Sequence, residues 1–150
     1  MTQRMDYSAA TPAGVKALGG VYGHIMQSDL PKALVDLVYL RVSQINGCAY
    51  CIDMHSRDLL KEGMPVEKLV LVPAWRAGGA LFDDTERAAL AWAETVTRVA
   101  ETGVPDAEYE AAAAVFDRKQ LADLTIAIGL MNTYNQMAIS FRVPPAATKQ

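Results

Sequence analysis

Two cysteines separated by two residues, Cys48 and Cys51, are followed four positions later by His55. The thiolate is the reactive form of cysteine, and a neighbouring imidazole can take the thiol proton or stabilise the anion. On a helix, successive residues turn by about 100°, so Cys51 lies about 60° and His55 about 20° to one side of Cys48. All three share one face, and Cys51 and His55 stand in the i,i+4 relation at which helical side chains meet. The pattern suits thiol redox chemistry. Two other uses stay open at this point, structural zinc and burial as small hydrophobes. Zinc needs four ligands, and with two cysteines and two histidines in the chain, His24 or a carboxylate must complete the shell. Covalent haem is disfavoured because Ile52, not histidine, follows Cys51.

The elements that must hold this centre are helical. Apolar residues recur at helical intervals along the chain, and strict alternation bounded by turn residues is absent. The fold class expected is all-α, with six to seven helices in one domain spanning the 150 residues. A first helix carries Val15, Leu18, Val21, Ile25 and Met26, with Gly14, Gly19, Gly20 and Gly23 read as places of close helix packing. Ser28 or Asp29 caps a second, with Pro31 in its first turn, and Asn46-Gly47 ends it. The third starts at or just before Cys48 and runs to Lys61 or Glu62, which puts both cysteines in its first turn. There the unpaired backbone N–H groups and the helix dipole favour a thiolate. A short helix over Pro65 to Trp75 and a loop at Arg76 to Gly79 follow. Asp83 with Glu86 and Asp117 with Gln120 have capping-box spacing and open helices that run to about Glu101 and to Phe141. Between them lies an alanine-rich helix over about Asp106 to Phe116. The last helix is apolar on more than one side, through Ile126, Leu130 and Ile139, which predicts burial in the protomer or at a subunit contact.

Composition narrows the function classes. Hydrophobic residues make up 51% and charged residues 21%, an apolar balance that points to buried subunit interfaces. The net charge of −3, with Lys and Arg scattered, supplies no field for nucleic acid. Met1 to Ala13 lacks the pattern of a signal peptide and no stretch is long and apolar enough to span a bilayer, so a cytoplasmic protein with no membrane partner is expected. In that reducing compartment a C-x-x-C pair reads as a redox or metal device, since a bridge over two residues constrains little chain.

The stretch Leu40-Arg41-Val42-Ser43-Gln44-Ile45-Asn46-Gly47-Cys48-Ala49-Tyr50-Cys51-Ile52-Asp53-Met54-His55 resembles the signature of the AhpD-like alkylhydroperoxidase branch of the carboxymuconolactone decarboxylase family. Weaker similarity lies in Pro73 to Arg76, Glu86 to Trp92 and Asn132 to Asn135, so the likeness covers about Pro31 to Phe141. It implies a helical fold assembled as a homo-trimer or homo-hexamer, and a cysteine peroxidase with no cofactor, metal or haem. It also implies that Cys51 attacks a peroxide substrate, that Cys48 resolves the sulfenic acid to a disulfide, and that a dithiol reductant reopens it. The family places a glutamate twelve residues before the first cysteine to serve the histidine; here that position is Asp36. Asp36 is shorter by one methylene, about 1.5 Å, and is expected to reach His55 through water. Tyr50, between the cysteines, is expected to line the site.

Two other classes remain beside the peroxidase. The thiol reading includes a thiol-disulfide oxidoreductase without a dedicated peroxide; the first of the other classes is a lyase of the carboxymuconolactone decarboxylase type, which needs acid-base groups and no thiol pair. The other is a non-enzymatic interaction protein. His24, with no motif around it, reads as a satisfied or surface histidine, and Trp75 and Trp92 as packing residues.

Overall fold

Residues 2–148 are described in the structure, a computed structural model, and among them helices are the regular element and no strand occurs. The α-helices are α1 (Tyr7–Ala10), α2 (Pro12–Met26), α3 (Lys32–Asn46), α4 (Ala49–Lys61), α5 (Val66–Leu71), α6 (Asp84–Thr97), α7 (Val99–Thr102), α8 (Asp106–Ala113) and α9 (Arg118–Phe141). Short 3-10 turns cover Val72–Ala77, Gly79–Leu81 and Ala146–Thr148. The all-α expectation holds, with nine α-helices among the described residues in place of six or seven. None of them is long and apolar enough to cross a membrane.

The centre of the molecule is α3, which packs against α4, α6 and α9. Its residues from Leu34 to Leu40 are all buried, so this helix is covered on every side rather than along one stripe. One apolar cluster joins α3 to α6 and α9 through Val35, Val38, Val42, Ala93, Leu124 and Ile128. A second, through Leu37, Leu40, Leu59, Trp75, Phe82 and Leu90, seats α4 and the turn after α5. Within this packing the buried Glu94 of α6 accepts from Arg41 Nε at 2.8 Å, from Trp75 Nε1 at 2.9 Å and from Arg76. One carboxylate thus ties α3, α6 and the 3-10 turn together.

Both capping boxes form: Glu86 N–H donates to Asp83 at 2.8 Å and Gln120 N–H to Asp117 at 2.8 Å, each with the reciprocal bond. Other boundaries differ from the sequence reading. Pro31 itself is the N-cap of α3, because the Ser28 hydroxyl turns back to donate to the Ile25 carbonyl at 2.7 Å. The segment expected as one helix to Glu101 breaks at Arg98 (φ −98°, ψ 33°), and Thr102 Oγ1 donates back to the Thr95 carbonyl at 2.8 Å to hold the short α7. The loop expected at Arg76 to Gly79 is largely 3-10 turn. The glycines of α2 are not at a close helix contact in the protomer, since a Cβ at Gly19, Gly20 or Gly23 meets nothing within 4 Å. On α9, Leu130 is buried while Ile126 and Ile139 are exposed.

Candidate active site

The turn between α3 and α4 sets the site. Gly47 adopts φ +72°, and the N–H groups of Gly47 and Cys48 donate to the carbonyls of Gln44 at 3.3 Å and Ser43 at 2.9 Å, a Schellman closure of α3. The chain then turns at once into α4, with Cys48 as N-cap in an extended conformation (φ −83°, ψ 94°). Cys48 is therefore not inside the first turn, as the sequence suggested, but at its mouth. Its sulfur accepts the N–H of Cys51 at 3.4 Å, the role a serine or aspartate plays at other helix starts. Because a Cβ at Gly47 meets nothing within 4 Å, Gly47→Ala is expected to cost only the left-handed backbone strain, about 1 to 2 kcal/mol, measured by chemical denaturation.

Both cysteines are free thiols and both are buried. The hydrogen bond shared with Cys51, aided by backbone N–H groups and Asn135, lowers the Cys48 thiol to about 7 despite its burial. Cys51, the donor in that pair and itself buried, is pushed up, although Asn135 and Ser43 act against the rise. With Cys48 the acceptor and Cys51 the donor, the hydrogen bond directs the first negative charge of the pair toward Cys48. A titration by thiolate ultraviolet absorbance is expected to show a midpoint near 7 that Cys48→Ser removes; a midpoint unchanged in that variant would move the charge to Cys51. Beneath the pair, amides of α3 and α9 interlock. Asn46 donates to Asn132 at 2.8 Å and Asn135 at 2.9 Å, and Asn135 donates to Ser43 at 3.0 Å.

Cys51 and His55, one turn apart on α4, line a cavity of about 320 Å³, a size in the range of small-molecule sites. Asp36 and Lys32 of α3 line it too, with Tyr7, Tyr22, Tyr39, Tyr50 and Tyr134. His55 Nδ1 stands 3.8 Å from Asp36 Oδ1, an ion-pair approach longer than a hydrogen bond. The other Asp36 oxygen accepts from Lys32 Nζ at 2.6 Å, and Lys32 also bonds Glu62 at the surface. Burial opposes ionisation of Asp36, but His55 and Lys32 outweigh it and its carboxyl lies below its ordinary range. Bonds from Asp36 and Glu62 hold Lys32 above its usual value. Burial raises Tyr7, Tyr22, Tyr39 and Tyr134, so these phenols keep their protons.

Three buried side-chain polar atoms among the described residues have no partner: both ring nitrogens of His55 and the hydroxyl of Tyr39. They sit together, the two rings 5.2 Å apart, on the wall of the cavity that Cys51 lines. Each unpaired group costs about 1 to 3 kcal/mol in a folded protein. Facing the cavity, these groups are placed to hydrogen-bond a polar molecule held there.

The structure thus brings Cys48, Cys51, His55, Asp36 and Tyr50 together. His24 lies elsewhere, its ring half-exposed and paired with Asp123 at 2.9 Å. Among the described residues no three His, Cys, Asp or Glu side chains are grouped to hold a metal ion. The sequence reading missed Lys32, whose signal was its i,i+4 spacing to Asp36. It gave no role to Ser43 or Asn135, although both lie in the family-like stretches, and it missed four of the tyrosines, which carry no local signal.

The family model for "Carboxymuconolactone decarboxylase family" matches residues 12–95. The chain belongs to that family. It is 33% identical over 140 residues to the uncharacterized protein YdfG of Bacillus subtilis, covering 93% of this chain and 95% of YdfG. A crystal structure from Agrobacterium tumefaciens, of a protein of unknown function proposed to be the antioxidant defence protein AhpD, superposes with a TM-score of 0.91. That pair shares 35% identity over 96% of this chain and 98% of the other, so this family member is AhpD-like in fold. The debrominase Bmp8 shares the fold at a TM-score of 0.79 and 17% identity, over 93% of this chain and 74% of its own.

Proposed function

We propose that this family member is a thiol-dependent peroxidase in which Cys51 is the attacking thiol, Cys48 the resolving thiol and His55 the base. The observation that carries this reading is the cavity where Cys51 meets the unpaired nitrogens of His55 and hydroxyl of Tyr39. His55 accepts the Cys51 proton, with Asp36 stabilising the imidazolium from 3.8 Å. The less acidic of two thiols gives the stronger nucleophile once deprotonated, which suits Cys51 to attack. Its thiolate displaces at the terminal peroxide oxygen, the O–O bond breaks, and the alkoxide takes the proton that His55 had accepted and leaves as alcohol. Cys48, ionised near neutral pH, then attacks the sulfenic sulfur and expels hydroxide, which leaves as water. The sum is one peroxide and two thiols giving an alcohol, water and the Cys48–Cys51 disulfide, which a dithiol reductant reduces.

The substrate fits as an uncharged organic hydroperoxide. Five tyrosines offer apolar faces and phenolic donors, whereas Asp36 and Asp58 put negative charge on the wall and the one lysine is bound to two carboxylates. That charge disfavours an anionic lactone, and a lyase makes no use of two thiols. The test is to supply cumene hydroperoxide with dithiothreitol and, in a Cys48→Ser variant, to trap sulfenic acid with dimedone. Peroxide consumption and an adduct on Cys51 are expected. No consumption above background removes the peroxidase reading and leaves a thiol-disulfide oxidoreductase.

A further inference from the structure

The two cysteines line different, neighbouring spaces. Cys51 lines the tyrosine cavity and Cys48 does not. Cys48 instead lines a separate groove of about 350 Å³ between the start of α4 and the segment after α9, with Ile139, Arg142, Val143 and Pro145 on its walls. Tyr50 and Ala138 face both spaces and divide them. The charges differ as well. The Cys51 cavity carries Asp36 and Asp58 against Lys32, which is already bound to Asp36 and Glu62, whereas the Cys48 groove carries Arg142 and, among the described residues, no carboxylate. A thiolate, the species that opens a disulfide, is an anion: Arg142 favours its approach and the paired aspartates oppose it.

We propose that the reductant enters by this second groove, as the thiolate of a slender dithiol, and attacks Cys48 rather than Cys51. Cys48 is 1% exposed, so a flat protein surface cannot bring its sulfur to the bottom of the groove, while a thin chain can. The attacking thiolate bonds to Cys48 Sγ and the Cys48–Cys51 bond breaks. Cys51 departs as thiolate and takes up, through His55, the proton that the attacking thiol had lost to solvent, which restores the resting site. The second thiol of the reductant, its proton lost to solvent, then attacks the reductant's own sulfur and releases Cys48 as thiolate into its N-cap bond with the Cys51 N–H. The reductant leaves as a cyclic or linked disulfide. Peroxide and reductant thus act through different spaces, so reduced thiol does not compete for the peroxide's cavity.

This inference rests on the thiol reading of the site but is tested apart from peroxide. The disulfide is formed in the purified protein with diamide, opened briefly with 2-mercaptoethanol, quenched in acid and alkylated with N-ethylmaleimide. Fragment mass spectra then locate each group. The mercaptoethanol adduct is expected on Cys48 and the maleimide on Cys51, in excess over the reverse by about tenfold or more. The reverse pattern, or an even mixture, overturns the proposal. In a second measurement Arg142→Glu is expected to slow dithiothreitol reduction of the same disulfide several-fold at low salt; an unchanged rate places the entry route elsewhere and overturns the groove assignment. A protein that consumes no peroxide leaves both readouts intact, so the two readings fail separately.

Discussion

Cys51→Ser is expected to reduce peroxide consumption to the uncatalysed background, while Cys48→Ser should complete one oxidation per protein and then stall at the sulfenic acid. The asymmetry follows from position. Cys51 alone of the pair lines the cavity shared with His55 and Tyr39, and Cys48 reaches only the Cys51 sulfur and its own groove. His55→Asn keeps a polar side chain of similar bulk but removes the base, and is expected to slow the oxidation step by about 10²- to 10⁴-fold. Asp36→Asn should act through His55 and therefore less. It also breaks the bond to Lys32, so its effect is best read in the pH profile. Stopped-flow measurement of the oxidation step decides the matter: a Cys51→Ser variant as fast as wild type, or a His55→Asn variant unaltered, removes that residue from its role.

The second large effect concerns Glu94, which lies outside the site and holds its scaffold. Glu94→Ala is expected to destabilise the fold by about 3 kcal/mol or more, because it strands the half-buried Arg41 guanidinium and the buried Trp75 N–H together. Denaturant titration measures it, and a loss under about 1 kcal/mol would show the three-way contact to be dispensable. Its pH dependence has a definite sign. Burial opposes ionisation of Glu94, but Arg76, Trp75 and Arg41 prevail and depress its folded value below the ordinary 4.5. A depressed carboxylate adds stability above its unfolded value and loses it as pH falls through the folded one. Wild type should therefore weaken below about pH 4.5 by more than Glu94→Gln does over the same range.

Much of this protein was written locally. The C-x-x-C spacing and His55, the stop at Gly47 and the two capping boxes each depend on residues within one turn or two, so short-range rules place them. The helix breaks were less legible. Pro31 as N-cap and the interruption at Arg98 depend on where Ser28 and Thr102 send their hydroxyls, and those choices are made by neighbours the helical pattern does not record. Asp36 was legible only through the family likeness, since nothing in its own surroundings distinguishes it from a polar residue on a helix face.

What the sequence by itself determined, then, is the chemistry available: two thiols and an imidazole on one helical face, in an all-α chain. Tertiary structure decided how that chemistry is divided. Wrapping α3 on every side buried Asp36 beside His55 and left Lys32 to hold its other oxygen. Bringing α9 against α3 set Asn135 beneath the cysteines, and α1, α2 and α9 delivered tyrosines from distant parts of the chain to one cavity. The turn at Gly47 put Cys48 at the mouth of α4 and Cys51 one turn inside, so two thiols alike in sequence differ in acidity and line different spaces. Burial and hydrogen-bond partners set a thiol's acidity and its access, and both are properties of the packed fold rather than of spacing along the chain.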